Sequence, residues 1–352
     1  MDEDRPMTED SPILKVRDLR TSFKTDRGVV TAVDGVSFDL YPGETLGIVG
    51  ESGCGKSVTN KSIIRLLPER VTRYDPNSTI MFRDQNLLDL NERQMRAIRG
   101  NDIGMIFQEP MTALNPVFTI GWQIEEALQY HSDLPAGQHR ARAIEMLRLV
   151  EMPNPEKRID EYPHQLSGGM RQRVVIAMAL CCNPEILIAD EPTTALDVTI
   201  QNQILRLMDG LKEKTETAII LITHDLGVVA QACDRVIVMY AGQVVETGSV
   251  RDIFHRPRHP YTRALLDSMP KPGAAGHQKR LPAIEGMVPS LFDLPEGCRF
   301  ADRCGFRKPD CEAKLPDLVS LESGPSTNSP NHRNAQAVRC FYPLGVMSEG
   351  SV

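Results

Sequence analysis

The octapeptide Gly50-Glu51-Ser52-Gly53-Cys54-Gly55-Lys56-Ser57, directly behind the apolar run Thr45 to Val49, constrains this chain more than any other feature. It has the form G-x-x-x-x-G-K-S in a strand, loop and helix setting, which separates a phosphate loop from a glycine-rich turn followed by a surface lysine. Gly50, Ser52, Gly53 and Gly55 belong to a loop whose backbone N–H groups curl around a polyphosphate at a helix N-terminus. Lys56 brings a point charge to the outer phosphates, and the Ser57 hydroxyl is a ligand for Mg²⁺. A buried strand entering such a loop calls for a parallel sheet, hence an α/β fold.

The rest of the chain fits that sheet. Ile186 to Ala189, Ala218 to Thr223 and Val236 to Tyr240 read as further buried parallel strands, with helical stretches between several of them. Ile13 to Leu19 and Val29 to Leu40 alternate as half-buried strands do, and Pro42-Gly43 marks a turn. Between Thr112 and Gln165 helix formers and charges dominate, as in Ala141 to Val150, so a helical insertion is expected over about 112–168. Polar, acidic Met1 to Asp10 predict a disordered tail reaching residue 12. Beyond Pro257 proline and glycine rise and periodicity fades, which divides a core, 13–257, from an extension, 258–352.

Composition excludes some classes. With 40 Lys and Arg against 47 Asp and Glu, a net charge of -7 gives no general reason to bind nucleic acid. The longest strongly apolar stretch, Val174 to Cys182, falls short of the ~20 residues that cross a bilayer, and no signal-peptide pattern opens the chain, so a cytoplasmic location is expected.

Two more segments carry chemistry. Ile186-Leu187-Ile188-Ala189 ends in Asp190 and Glu191. An isolated Asp-Glu pair is usually a solvated turn, but at a strand tip beside a phosphate loop the two acids divide labour. Asp190 suits the Mg²⁺ shell, and Glu191 polarises a water for in-line attack. Ser167-Gly168-Gly169 opens an apolar helix through Ala179. Alone this is a common helix cap; shortly before the Asp-Glu strand it reads as a second anion site for a terminal phosphate.

In this order the elements resemble the ABC ATPases over about Ile13 to Gly248. The resemblance implies a mixed sheet with a RecA-like lobe, an antiparallel β lobe and the helical insertion. It also implies roles for residues that mean little alone. Gln108, after Ile103 to Phe107, touches metal or water and senses the membrane partner, and His224, after Ile219 to Thr223, contacts the terminal phosphate. Asp197 in Thr194-Ala195-Leu196-Asp197 belongs to the nucleotide site, and Phe23 stacks on adenine or is an ordinary core or surface ring. Family members sandwich two ATP molecules head to tail, the phosphate loop of one domain facing the Ser-Gly-Gly segment of the other. One set of motifs here therefore implies a second ABC ATPase subunit as partner. Two permease subunits and, indirectly, an extracytoplasmic solute-binding protein complete the implied assembly, at the cytoplasmic face of the bacterial inner membrane. Soluble repair or ribosomal ABC ATPases are the alternative; their coiled-coil insertion or second core is not visible.

Met170, where glutamine is usual, and His259-Pro260-Tyr261-Thr262-Arg263-Ala264-Leu265-Leu266 resemble the oligopeptide and dipeptide import ATPases. That resemblance implies peptide uptake, with nickel, glutathione or another small solute as alternatives. Of the 8 cysteines, Cys298, Cys304, Cys311 and Cys340 sit together in the extension. Four thiolates suit a [4Fe–4S] cluster or a tetrahedral zinc, and gaps wider than the C-x₂-C of zinc ribbons favour iron–sulfur, as does the subfamily resemblance. Four unrelated reduced thiols are the other reading. Cys54 reads as a spacer, and Cys181, Cys182 and Cys233 as core fillers.

Overall fold

The computed structural model describes residues 11–108, 113–192, 198–269, 284–321 and 335–345. The tail expected at 1–12 thus lies, up to residue 10, outside the described residues.

The strands are β1 (Leu14–Thr25), β2 (Gly28–Leu40), β3 (Thr45–Val49), β4 (Thr72–Tyr74), β5 (Thr79–Phe82), β6 (Gln85–Asn86) and β7 (Ile103–Ile106). They continue with β8 (Ile186–Asp190), β9 (Ala218–Ile222), β10 (Arg235–Tyr240), β11 (Gln243–Ser249), β12 (Val319–Ser320) and β13 (Ala337–Val338). One sheet runs β2-β1-β5-β6 with β4 on β1; the other runs β12-β13-β11-β10-β3-β9-β8-β7. The first is antiparallel, whereas β10, β3, β9, β8 and β7 lie parallel to one another in the second. The four expected parallel strands are present, and the apolar run at Ile103 adds a fifth.

Side-chain alternation explains where the parallel strands sit. Ile186, Ile188, Ile220 and Ile222 face a core shared with β1 and β2, while Leu187, Ala189, Ile219 and Leu221 face the helical insertion. Every residue of β3, β8 and β9 is buried, so these strands read as unbroken apolar runs. The helices before β8 are α1 (Lys56–Ile63), α2 (Glu92–Ile98), α3 (Ile120–His131), α4 (Ala136–Leu149), α5 (Pro155–Arg158) and α6 (Gly168–Leu180). Helices α3, α4 and α6 share one core through Ile124, Met146 and Ile176, which keeps the insertion packed against the sheet. After it come α7 (Val198–Thr215), α8 (Leu226–Ala232), α9 (Val250–His255), α10 (Pro260–Asp267) and α11 (Pro309–Ala313).

The extension continues the large sheet, for β13 pairs antiparallel with β11 through Glu246↔Val338 and Thr247↔Ala337. Glu246 has no exposed surface, and its carboxylate accepts from the backbone N–H groups of Arg258 (2.7 Å) and His259 (2.8 Å) and from Gln336 Nε2 (2.8 Å). Burial raises its pKa, and the converging donors work against that. His259 is buried too. Its Nδ1 accepts from the N–H of Tyr261 (3.0 Å) and caps α10. Burial pulls the His259 pKa from 6.5 down to about 3, so the ring is neutral. A third core, with Val49, Val238, Tyr240, Tyr261 and Phe300, joins strands β3 and β10 to the extension.

Candidate active site

Backbone sterics shape the phosphate loop first. At Gly50, φ is +152° and a Cβ would stand 2.2 Å from the Met239 carbonyl oxygen; at Gly55, φ is +102° and a Cβ would stand 2.7 Å from that of Ala32. Only glycine fits either position. Ser52 and Gly53 are exposed at the loop's outer turn, and Gly55 caps α1, so its first N–H groups point where a phosphate is held best. Lys56 is buried, its ammonium donating to the carbonyl oxygens of Gly50 (2.7 Å) and Glu51 (3.0 Å). Both acceptors are neutral, so the charge is placed to meet an anion. Cys54 is fully buried in the core beneath β1 and β2. Cys181 is buried and Cys182 and Cys233 half-buried against the helical core, as fillers.

The Ser57 hydroxyl donates to Asp190 Oδ1 at 3.2 Å. A hydroxyl and a carboxylate oxygen converging on one point suit a hard cation such as Mg²⁺. Burial holds the Asp190 pKa above the usual carboxylate value, and the Ser57 hydrogen bond opposes this only in part. Glu191 follows with φ +50°, a left-handed residue at the end of β8 whose N–H still donates to the Ile222 carbonyl at 2.9 Å. The two neighbouring acids point apart, as successive side chains at a strand end do. Asp190 faces Ser57, while Glu191 Oε2 accepts from Gln108 Nε2 at 3.2 Å and its Oε1 lies 3.4 Å from His224 Nδ1. Lys56, Ser57 and Asp190 thus form one end of the site, and Glu191, Gln108 and His224 the other.

Other expected residues stand apart. Ser167 caps α6, accepting from the Met170 N–H at 3.4 Å, and Ser167 and Gly168 are exposed. A Cβ on Gly169 would meet Ile200 Cγ2 at 2.9 Å, so α7 packs directly against the Ser-Gly-Gly turn. Phe23 is half-buried, registered against Val30 and Thr72 rather than against the phosphate loop. Asp197 lies outside the described residues. Sequence reasoning missed Gln172, which is wholly buried and whose Nε2 donates to the Pro192 carbonyl at 2.6 Å, tying α6 to the chain just past Glu191. It also missed the hold that the extension has on Glu51.

In the extension, Cys298, Cys304, Cys311 and Cys340 line one cavity of about 20 Å³ with His259 and Phe300. All four are free thiols, and burial raises the pKa of Cys298, Cys304 and Cys340, the last to about 11. Among the described residues no group of three or more His, Cys, Asp or Glu is drawn closely enough together to hold a metal ion. Neither the [4Fe–4S] cluster nor the tetrahedral zinc expected for these thiols is therefore supported by the arrangement.

Residues 33–194 match the ABC transporter family, and residues 245–311 match the oligopeptide/dipeptide transporter C-terminal region. A probable peptide ABC transporter ATP-binding protein of Sinorhizobium fredii is 57% identical over 312 residues, 89% of this chain and 92% of that protein. This chain belongs to the ABC transporter ATP-binding proteins. A dipeptide transport ATP-binding protein of Bacillus subtilis is 55% identical over 304 residues, 86% of this chain and 90% of that one. Among solved structures, a dimeric ABC cassette bound to ADP and phosphate after hydrolysis is 30% identical with a TM-score of 0.60, covering 68% of this chain and 99% of that chain.

Proposed function

We propose that this ABC ATPase powers import of di- or oligopeptides through partner permease subunits. The observation that carries the reading is the second family match, at 245–311, in a chain whose relatives are named peptide and dipeptide transport ATP-binding proteins over about nine tenths of their length.

In the proposed cycle the phosphate loop N–H groups and Lys56 hold the ATP phosphates, while Ser57, Asp190 and Gln108 supply oxygens for Mg²⁺, which offsets charge on the phosphates when bound. Glu191 orients water and accepts its proton, and His224 steadies the terminal phosphate. Phe23 and Asp197 are assigned to the nucleotide by family resemblance. The Ser167-Gly168-Gly169 turn, exposed at Ser167 and Gly168, faces the nucleotide of a second ABC ATPase, a reading supported by the dimeric form of the related cassette.

The permease side is supported by an apolar groove of about 410 Å³ lined by Leu66, Met105, Phe107, Ala127, Val175 and Met178. It lies beside Gln108 and suits a short apolar helix, so two permease subunits, one on each ATPase, are the proposed occupants. Among the described residues no helix is long and apolar enough to cross a membrane, consistent with a peripheral subunit at the cytoplasmic face of the bacterial inner membrane. A solute-binding protein outside that membrane is an indirect partner, and no nucleic acid is. We also assign Cys298, Cys304, Cys311 and Cys340 to a [4Fe–4S] cluster. What speaks for it is the all-thiolate donor set and the resemblance to peptide-import ATPases, not the size of the cavity, which at about 20 Å³ matches a single water. Division at about 257 into a 13–257 core and a 258–352 extension belongs to the same reading.

The test is ATP-driven uptake of labelled di- and oligopeptides into membrane vesicles, with and without this chain and with Glu191→Gln. Uptake should require the chain and collapse with the substitution. Chain-independent uptake alongside intact ATPase activity would redirect the cargo to other solutes.

A further inference from the structure

The phosphate loop is touched by two extension residues that phosphate binding itself does not call for. Tyr261, on α10, accepts at its hydroxyl from the backbone N–H of Glu51 at 2.9 Å. Arg303 donates to both oxygens of the Glu51 carboxylate, Nη1 to Oε2 at 2.6 Å and Nη2 to Oε1 at 3.0 Å. Glu51 follows Gly50, so the extension holds the first step of the loop by main chain and side chain together.

Arg303 is itself fully committed. Nη1 also donates to the Tyr240 hydroxyl (3.2 Å), Nη2 to the Ile284 carbonyl (3.2 Å) and Nε to that of Glu285 (2.9 Å). All five N–H donors of the guanidinium are thereby used, and only 4% of the side chain is exposed. A lysine has no such planar fork. The extension is secured elsewhere as well, by β13 on β11 and by Arg339, whose Nε donates to the Val244 carbonyl at 2.9 Å. Attachment alone therefore leaves the Glu51 contacts unexplained.

We propose that Arg303, assisted by Tyr261, is a positioning residue for the phosphate loop, holding Glu51 so that the loop amides and Lys56 are arrayed before ATP arrives. The inference rests on the ATPase reading of the site. A loop already held in place loses less conformational freedom on binding, so the effect falls on ATP affinity rather than on the chemical step.

The experiment uses the full chain and titrates a fluorescent ATP analogue with Mg²⁺, together with kcat and KM for ATP. Arg303→Gln and Glu51→Gln should each weaken binding about tenfold, with kcat at saturation little changed. The double variant should be no weaker than either single one, because both remove the same interaction. Arg303→Lys should restore only part of the affinity, and Tyr261→Phe, which deletes one oxygen, should show a smaller loss of the same kind. Arg339→Gln is the control: it should lower the unfolding midpoint and leave affinity unchanged. Wild-type affinity in Glu51→Gln and Tyr261→Phe, or additive losses in the double variant, would overturn the proposal, even should Arg303→Gln fail to fold. Absence of ATP binding by the unaltered chain would instead overturn the ATPase reading beneath it.

Discussion

One loop of eight residues is held from two sides, and the two sides are written differently in the chain. On the proposed catalytic side Ser57 meets Asp190, Lys56 closes on its own loop, and Glu191 faces Gln108 and His224, residue types and spacings that the proposed chemistry dictates. On the extension side Tyr261 and Arg303 reach Glu51 from 210 and 252 residues away, chosen by burial and fit. The difference teaches that a reaction leaves a readable pattern, whereas support for the reacting loop leaves almost none.

The contrast can be broken by substitutions that separate stability from chemistry. The largest expected effect is on the support side. Phe300, 3% exposed and packed edge-on to Tyr240 with ring centroids 5.3 Å apart, should cost about 3–5 kcal/mol of folding stability as Phe300→Ala, read by denaturant unfolding. Lys56→Ala should do the opposite, lowering turnover by about 10²–10³-fold with little change in the unfolding midpoint. A large stability loss in Lys56→Ala would mean that the two sides are one structural unit.

A pH experiment sharpens the same division. The folded His259 value near 3 lies below the ordinary 6.5, so between these values the unfolded chain binds a proton that the folded chain refuses. Stability should therefore fall as pH drops from 6.5 toward 3. His259→Asn keeps an acceptor for the α10 cap but cannot titrate, and its midpoint should fall less steeply with acid. Equal acid slopes would remove His259 from the account. The smallest effect is expected at a surface pair in the helical insertion. Arg140 and Asp160 lie 2.8 Å apart with half or more of each side chain exposed, and Arg140→Ala should change stability by about 0–1 kcal/mol.

How much was legible follows from the same physics. The strands β3, β8, β9 and β10 are plain in the sequence because parallel strands buried on both faces are continuous apolar runs. Two-residue β12 and β13 leave no period to read, and β4 to β6 hardly more. Glu246 looks in sequence like a solvated strand residue; only the folded chain brings the three donors that make its burial tolerable. Tyr261 is visible as part of His-Pro-Tyr but reads as a turn into a helix, since nothing local says where its hydroxyl goes. Arg303, between Asp302 and Cys304, carries no local signal at all. Glu191 was legible as a carboxylate beside a phosphate loop, while its left-handed backbone and its contacts with Gln108 and His224 were not.

The parting of the two acids is the central claim: Asp190 serves the cation site and Glu191 the water. Its most direct test is Glu191→Gln, with ATP retention and phosphate release measured on the same sample. The amide keeps the size of the side chain but cannot accept the proton, so ATP should stay bound while turnover falls by about 10²–10⁴-fold. Turnover close to that of the unaltered chain would contradict the assignment and return the two acids to a single role at the metal.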